Sequence, residues 1–521
     1  MSAQILPPDI VREILDHVAD AEPAGYDFHS KSYKLGWIST THVCRSWRYV
    51  GFGAASLWAD AACAFPDSII ADELITRARG CPLNMRITNH DAKGTGSHRY
   101  QHSQPLTLSW FLKYRNCARH FSCSISKAAI VRGDAEVKIL FADPLPVTEY
   151  ISIVVDDDLV GASATPASMV ALNAPVLDHA HSIGMLPSPT STLPSLRSLR
   201  LYLRDDEARA MDGMANLYGL LRALPLLESL TLRLGGAITL PLVDRTPVRL
   251  EHLQSFNARC CPALALDLLE TIVAPSMEML VVNTSDEVTG SDFIVQALAL
   301  QQRQFPLASE GSLSVSDTSL SLANTASGLP SLRLKFPSLA GLSFVELLSA
   351  LPQHTDVSQY RHFALAVPDC TMYHGLYAAM VAIGREMTRI TTLVISGEIH
   401  QHLLWMLQST TDGESSAAVP FPSLHTLGLG MVDLRPRSGD MWSGITLSKN
   451  TLSWWNVMMD VLESRIEKGS GVRCLTFEGC DCARGVCTRV WTDRAEAYLT
   501  KGFISELVDN RKRISTCYLC G

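Results

Sequence analysis

"LPSLRSLRL", residues 193–201, is the stretch on which the fold turns. Leu196 is followed by two variable residues, then Leu199, one variable residue and Leu201. The last pair has the period of a strand, and the leucine before it suits a turn that locks the chain into that strand. The frame returns in "LPLLESLTL" (224–232), "PSMEMLVV" (275–282), "FPSLAGLSF" (336–344) and "FPSLHTLGL" (421–429). Shorter matches stand at "YRHFAL" (360–365), "ITTLVI" (390–395) and "VRCLTF" (472–477). Helical patterns fall between them: "NLYGLLRAL", "LALDLLETIV" and "GLYAAMVAIGREM".

A recurring unit of strand, turn and helix can bury its apolar face only against its neighbours. The predicted fold class is therefore α/β, an irregular leucine-rich-repeat solenoid with a curved parallel sheet over 106–521. The spacing is uneven. Leu196 and Leu227 lie 31 residues apart, but Leu227 and Met277 lie 50 apart unless "LEHLQSF" (250–256) counts between them. No Asn or Cys recurs in the turn, so a different α/β domain with several leucine-rich strands fits the same pattern. Two Ser-rich segments, near 308–331 and 409–420, read by composition as disordered loops.

Composition narrows the function classes. At 47% hydrophobic and 18% charged the chain reads as folded, and its 521 residues allow more than one domain. A formal net charge of −8 favours neither nucleic acid nor an anionic membrane as partner. "MSAQILPPDIVREIL" lacks the basic and apolar regions of a signal peptide. No run of about twenty uninterrupted apolar residues follows, so no membrane span is expected. Without a secretory signal, the fourteen cysteines fit free thiols in a cytoplasmic or nuclear setting.

The first 65 residues read as a separate helical module. Pro7 and Pro8 open a helix in which Ile10, Val11, Ile14, Leu15 and Val18 form one stripe. Residues 19–33 show no period and read as a loop. In "LGWISTTHVCRSWRYV" (35–50), Thr40, Val43, Cys44 and Trp47 share a helical face, with Arg45, Arg48 and Tyr49 elsewhere. Leu57 and Trp58 restart the pattern after "GFGAAS".

These anchors, in this order, resemble the F-box as it occurs in mushroom-type fungal proteins: Leu-Pro opening a helix, a Val-Cys-Arg-x-Trp-Arg helix and a closing Leu-Trp. "ELITRARGCPLNMRI" (73–87) is similar to the segment that commonly follows, and residues 66–105 would link the module to the body. The loop after the first helix is longer than in the compact motif. The resemblance implies docking onto the Skp adaptor, and through it onto cullin and RING subunits of a ubiquitin ligase. It implies adaptor contacts from Leu6, Pro7, Ile10, Ile14 and Leu15. Val43, Cys44, Trp47, Leu57 and Trp58 would complete that surface or its packing. An unknown protein substrate would bind the repeats. Helices that merely cap the downstream body are the alternative.

Other chemistry has weaker support. Cys480, Cys482, Cys487, Cys517 and Cys520 include one C-x-x-C pair, the spacing that presents two thiolates to zinc, but the middle cluster is unlike a zinc knuckle. The expectation is free cysteines, with a zinc-dependent scaffold as the rival. No G-x-S-x-G, H-E-x-x-H or G-x-G-x-x-G occurs. The chain reads as a non-enzyme without a cofactor.

Overall fold

The computed structural model describes residues 6–27, 32–65, 67–87, 106–126, 130, 135–156, 169–203, 214–235, 246–284, 292–304, 311–316, 318–324, 330–335, 341–367, 375–397, 404, 406–407, 419–430, 449–478, 480–482, 495–510 and 512–514. The chain divides into two compact units, Met1–Leu253 and Gln254–Gly521.

The first unit starts with helix α1 (Pro8–Ala21). Pro7 and Pro8 cost no intrahelical bond there, and Asp9 faces the positive end of the helix. The expected loop after α1 is in part a hairpin, Gly25–Asp27 pairing antiparallel with Ser32–Lys34. Gly36 then adopts φ +53, where a Cβ would lie 2.4 Å from the Glu22 carbonyl oxygen. Only glycine lets the chain return this close to the end of α1, and Trp37 N–H donates to that same carbonyl at 2.9 Å.

A single helix through Thr40, Val43, Cys44 and Trp47 is not what forms. Gly36–His42 is a 3-10 helix, Cys44 is extended (φ −157, ψ 175), and helix α2 begins at Arg45 and runs to Gly53. The tighter 3-10 turn directs Trp37, Ile38 and Thr41 inward. A 3.6-residue count carried across the junction therefore assigns Val43 and Cys44 to the wrong face. Helix α3 (Ala55–Asp60) holds Leu57 and Trp58, and helix α4 (Ser68–Ala78) is capped by the Asp67 carboxylate accepting from Ile69 N–H at 2.8 Å.

The body of the first unit is a parallel sheet in chain order: β1 (Leu83–Ile87), β2 (Ala118–Ser126), β3 (Tyr150–Asp156), β4 (His179–Ile183), β5 (Ser198–Leu203) and β6 (Ser229–Leu234). Each strand pairs parallel with the next. Helices α5 (Leu108–Tyr114), α6 (Ala135–Ala142) and α7 (Ala215–Arg222) lie between strands in the chain, the crossovers that parallel pairing requires.

The turn implied by the repeated frame is present. Leu196 N–H donates to the Leu193 carbonyl at 3.3 Å, Leu227 to Leu224 at 3.3 Å and Leu253 to Leu250 at 3.3 Å. The leucines of these three turns are buried. One carbonyl ahead of each strand then accepts two successive N–H groups of the following strand's entry. Arg197 O receives Glu228 and Ser229, Asp178 O receives Arg197 and Ser198, and Glu149 O receives Asp178 and His179. The backbone at the turns is thus satisfied before each strand begins.

The second unit repeats the design with β7 (Ser255–Cys260), β8 (Met279–Thr284), β9 (Gly311–Val315), β10 (Ser319–Asn324), β11 (Pro330–Lys335), β12 (Tyr360–Val367), β13 (Thr392–Gly397), β14 (Thr426–Gly430), β15 (Cys474–Glu478) and β16 (Glu506–Asp509). The order is β7-β8-β11-β10-β9-β12-β13-β14-β15-β16. Strand β10 is antiparallel to both β9 and β11, and the other pairs are parallel. Helices α8 (Pro262–Thr271), α9 (Asp292–Gln304), α10 (Gly341–His354) and α11 (Leu376–Glu386) pack each on the next, and α12 (Lys449–Glu467) follows β14 in the chain.

Two expectations fail in this unit. The segment 308–331, expected to be disordered, contains β9, β10 and the start of β11. Its leucines alternate with serines, and Leu313, Val315, Leu320 and Leu322 are all buried. A composition rule overlooked a strand period. The end of "FPSLAGLSF" is not a strand either: Gly341 to Phe344 open α10, its first five residues lie outside the described ones, and the strand of that unit is the preceding "PSLRLK". The second Ser-rich segment, 409–420, lies almost wholly outside the described residues.

Candidate functional site

The ten anchor residues of the N-terminal module separate into core and surface. Val11 and Leu15 on α1 are fully buried, as are Trp37 and Trp58, while Leu57 is 7% exposed. Trp58 stacks edge-on against Trp37 at 4.8 Å and its indole N–H donates to Gly51 O at 2.8 Å. Thr41, equally buried, donates its hydroxyl to Ile38 O at 2.8 Å. Leu15, Leu57 and Trp58 therefore build the module and are not free to meet a partner.

The remaining anchors face outward or are half-covered. Leu6 is 39% exposed, Ile10 40% and Val43 66%. Pro7 and Cys44 are exposed, and Ile14 and Trp47 are half-buried. Cys44 is a free thiol at the start of α2, not a packing residue. Arg45, Arg48 and Tyr49 also face outward, although Arg48 Nε donates to Thr41 O at 3.3 Å. Among the described residues, fifteen large hydrophobic side chains are exposed, and eight of them lie within the first 70 residues: Leu6, Ile10, Leu35, Val43, Tyr49, Phe52, Ile69 and Ile70. Single exposed apolar residues are ordinary; eight of fifteen within 70 residues is a concentration along the chain.

Four of those eight, Leu35, Phe52, Ile69 and Ile70, escaped the sequence reading. The guanidinium of Arg77 sits 4.9 Å from the Trp58 ring and 5.0 Å from the Phe52 ring, which joins α4 to α2 and α3.

A polar cluster ties α4 to α5. The Asp72 carboxylate accepts from Trp110 Nε1 at 2.7 Å, Tyr114 Oη at 2.8 Å and Lys113 Nζ at 3.1 Å. Burial alone would raise the Asp72 carboxyl, but these hydrogen bonds outweigh it and hold the group below the ordinary carboxylate range. At the end of α3, burial pushes the Asp60 carboxyl up, opposed by the nearby charges of His120 and Arg119.

No group of three or more His, Cys, Asp or Glu among the described residues is placed to hold a metal ion. Cys480 and Cys482 lie on a short strand paired parallel with Lys512–Ile514, and Cys487, Cys517 and Cys520 fall outside the described residues. Among the described residues, no helix is long and apolar enough to cross a membrane. No protein-family model matches the chain, and no curated protein matches it.

Proposed function

We propose that the N-terminal helices are an F-box that docks onto a Skp adaptor, and that the repeated strands form a solenoid presenting a protein target. The chain would then be the substrate-recognition subunit of a Skp–cullin–F-box (SCF) ubiquitin ligase. It catalyses nothing itself in this reading; it raises the effective concentration of a target beside a ubiquitin-loaded enzyme.

The observation that supports it most is the separation of core from surface in the module. Val11, Leu15, Trp37, Leu57 and Trp58 supply a core, so the module keeps its shape while Leu6, Ile10 and Val43 stay exposed. Because those side chains are already partly covered, a partner's helices burying the rest would gain on the order of 1 kcal/mol for each. A helical cap for the body needs no such exposed set.

The test is co-expression with a fungal Skp adaptor, a cullin and a RING subunit. Recovery of all four proteins in one complex supports the ligase reading. A binary complex with the adaptor alone, from which cullin is absent, supports a second role outside a ligase. Folded chain recovered without adaptor contradicts the proposal.

A further inference from the structure

One face of the sheet of the first unit carries no buried apolar side chain over β4, β5 and β6, and its side chains are ordered by the strand register. One row runs Ser152, His181, Arg200, Thr231, and the next runs Val154, Ile183, Tyr202, Arg233. Arg200 and Arg233 are exposed. Neither has an ion-pair partner among the described residues. Tyr202 stands opposite Arg233 and two residues along β5 from Arg200, and the His181 ring meets it edge-on at 5.2 Å and 80°.

Asp156 ends β3 two residues after Val154, whereas the carboxylates at the strand entries are already engaged by cations. Arg119 pairs with Glu149 at 2.8 Å, Arg197 with Asp178 at 3.5 Å and with Glu228, and His179 Nδ1 meets Asp178 at 2.9 Å. The chain as a whole carries a formal charge of −8, so two exposed arginines on neighbouring strands, unpaired among the described residues, run against the average. His181 Nε2 is buried without a hydrogen-bond partner, while Nδ1 sits 3.3 Å from Ser152 Oγ. Burial, and then the charge of Arg200, lower the His181 pKa, which leaves a neutral ring with hydrogen-bonding capacity to spare.

From this we infer that the face of β4, β5 and β6 binds an acidic, extended peptide segment, with Arg200 and Arg233 each taking a carboxylate. Spacing supports this occupant. Diagonal positions on neighbouring strands lie about 7–8 Å apart. In an extended peptide, side chains two residues apart are separated by about 6.6–6.8 Å and point the same way. Aspartates or glutamates at alternate positions therefore match the two guanidiniums, and Tyr202, next to both, supplies apolar surface. A nucleic-acid backbone is the less favoured occupant, because the chain as a whole carries a formal net charge of −8. The inference names the target chemistry of the receptor proposed above and rests on that reading for its biological meaning, though binding itself can be measured without it.

The experiment uses the full-length chain and a fluorescein-labelled dodecapeptide of alternating Glu and Ser, read by anisotropy at about 0.15 M salt. The peptide with Gln in place of Glu is the control, and Arg222→Gln, which removes an arginine of α7 bonded to Thr246, controls for charge elsewhere. The expected result is binding that weakens at least about tenfold with the Gln peptide and with the Arg200→Glu/Arg233→Glu double variant. Arg222→Gln leaves it unchanged. Equal binding of the two peptides, no loss in a double variant whose melting temperature is unchanged, or no binding at all overturns the inference. So does a polyuridine dodecamer that binds more tightly than the peptide through the same arginines. Adaptor capture is measured on the same preparations. Capture without peptide binding overturns this inference alone; peptide binding without capture upholds the face and contradicts the receptor reading.

Discussion

The indole N–H of Trp58 donates to the backbone carbonyl of Gly51 at 2.8 Å, and that bond joins α3 to α2 at the centre of the N-terminal module. A Cβ added at Gly51 would lie 2.6 Å from Thr41 Cγ2 and 3.8 Å from Leu15 Cδ1, so α1, α2 and the 3-10 helix meet where only hydrogen fits. Gly51→Ala is predicted to destabilise the first unit by about 1–3 kcal/mol through overpacking. Urea unfolding of the two proteins checks this, and an unchanged midpoint would show that the contact relaxes freely.

Core and surface anchors should behave differently under one substitution. Leu57→Asp buries an unpaired charge beside Trp58 and is predicted to unfold the module, costing several kcal/mol. Ile10→Asp and Val43→Asp place the charge in water and should leave the melting temperature within a degree or so of the parent. Circular dichroism melts of the three variants separate these outcomes.

Acid should loosen the junction between α4 and α5. The folded Asp72 carboxyl is held below its ordinary value of 3.8. Its contribution is therefore fully present above that value and is lost as pH falls through the lower, folded value. Asp72→Asn cannot titrate, so the stability gap between parent and variant should be constant from neutral pH down to about 4 and shrink below it. Thermal melts across that range measure the gap.

In the second unit Arg465 is 1% exposed and pairs with no carboxylate among the described residues. Its guanidinium instead donates to the carbonyls of Ser470 (3.1 Å), Leu407 (3.1 Å), Pro420 (2.8 Å) and Phe421 (2.7 Å). Burial lowers its pKa to about 10, which still leaves it charged at neutral pH. Arg465→Met keeps the stem but orphans these acceptors, and at about 1–3 kcal/mol for each buried group left unpaired it should destabilise this unit by at least 3 kcal/mol. Hydrogen exchange should show lost protection in β14 and α12; unchanged exchange there would contradict this role.

Much of the sheet was legible in the repeated frame, because one leucine at the turn and two along the strand report burial directly. Leu196, Leu199 and Leu201 are each 1% exposed or less. Strand β4 went unread because its inward positions are Ala180 and Ser182, and the buried Ser182 hydroxyl is satisfied by Met185 O at 2.7 Å. That hydrogen bond is tertiary and leaves no mark in hydropathy. The same limit applies to the docking surface. A period shows which residues share a face, but Leu15 and Ile10 share one on α1, and only the packing of the 3-10 helix and α2 makes the first core and the second surface. Val43 and Cys44 were assigned to a helix face because a change from 3-10 to α geometry is invisible to a fixed period.

The most direct test of the account is titration calorimetry of the purified chain against a recombinant fungal Skp adaptor, with the Ile10→Asp/Val43→Asp variant alongside. The account predicts a one-to-one complex for the parent and at least about a tenfold loss of affinity for the variant, its melting temperature being unchanged. Equal affinity of parent and variant, or no heat of binding from a folded parent, would contradict it.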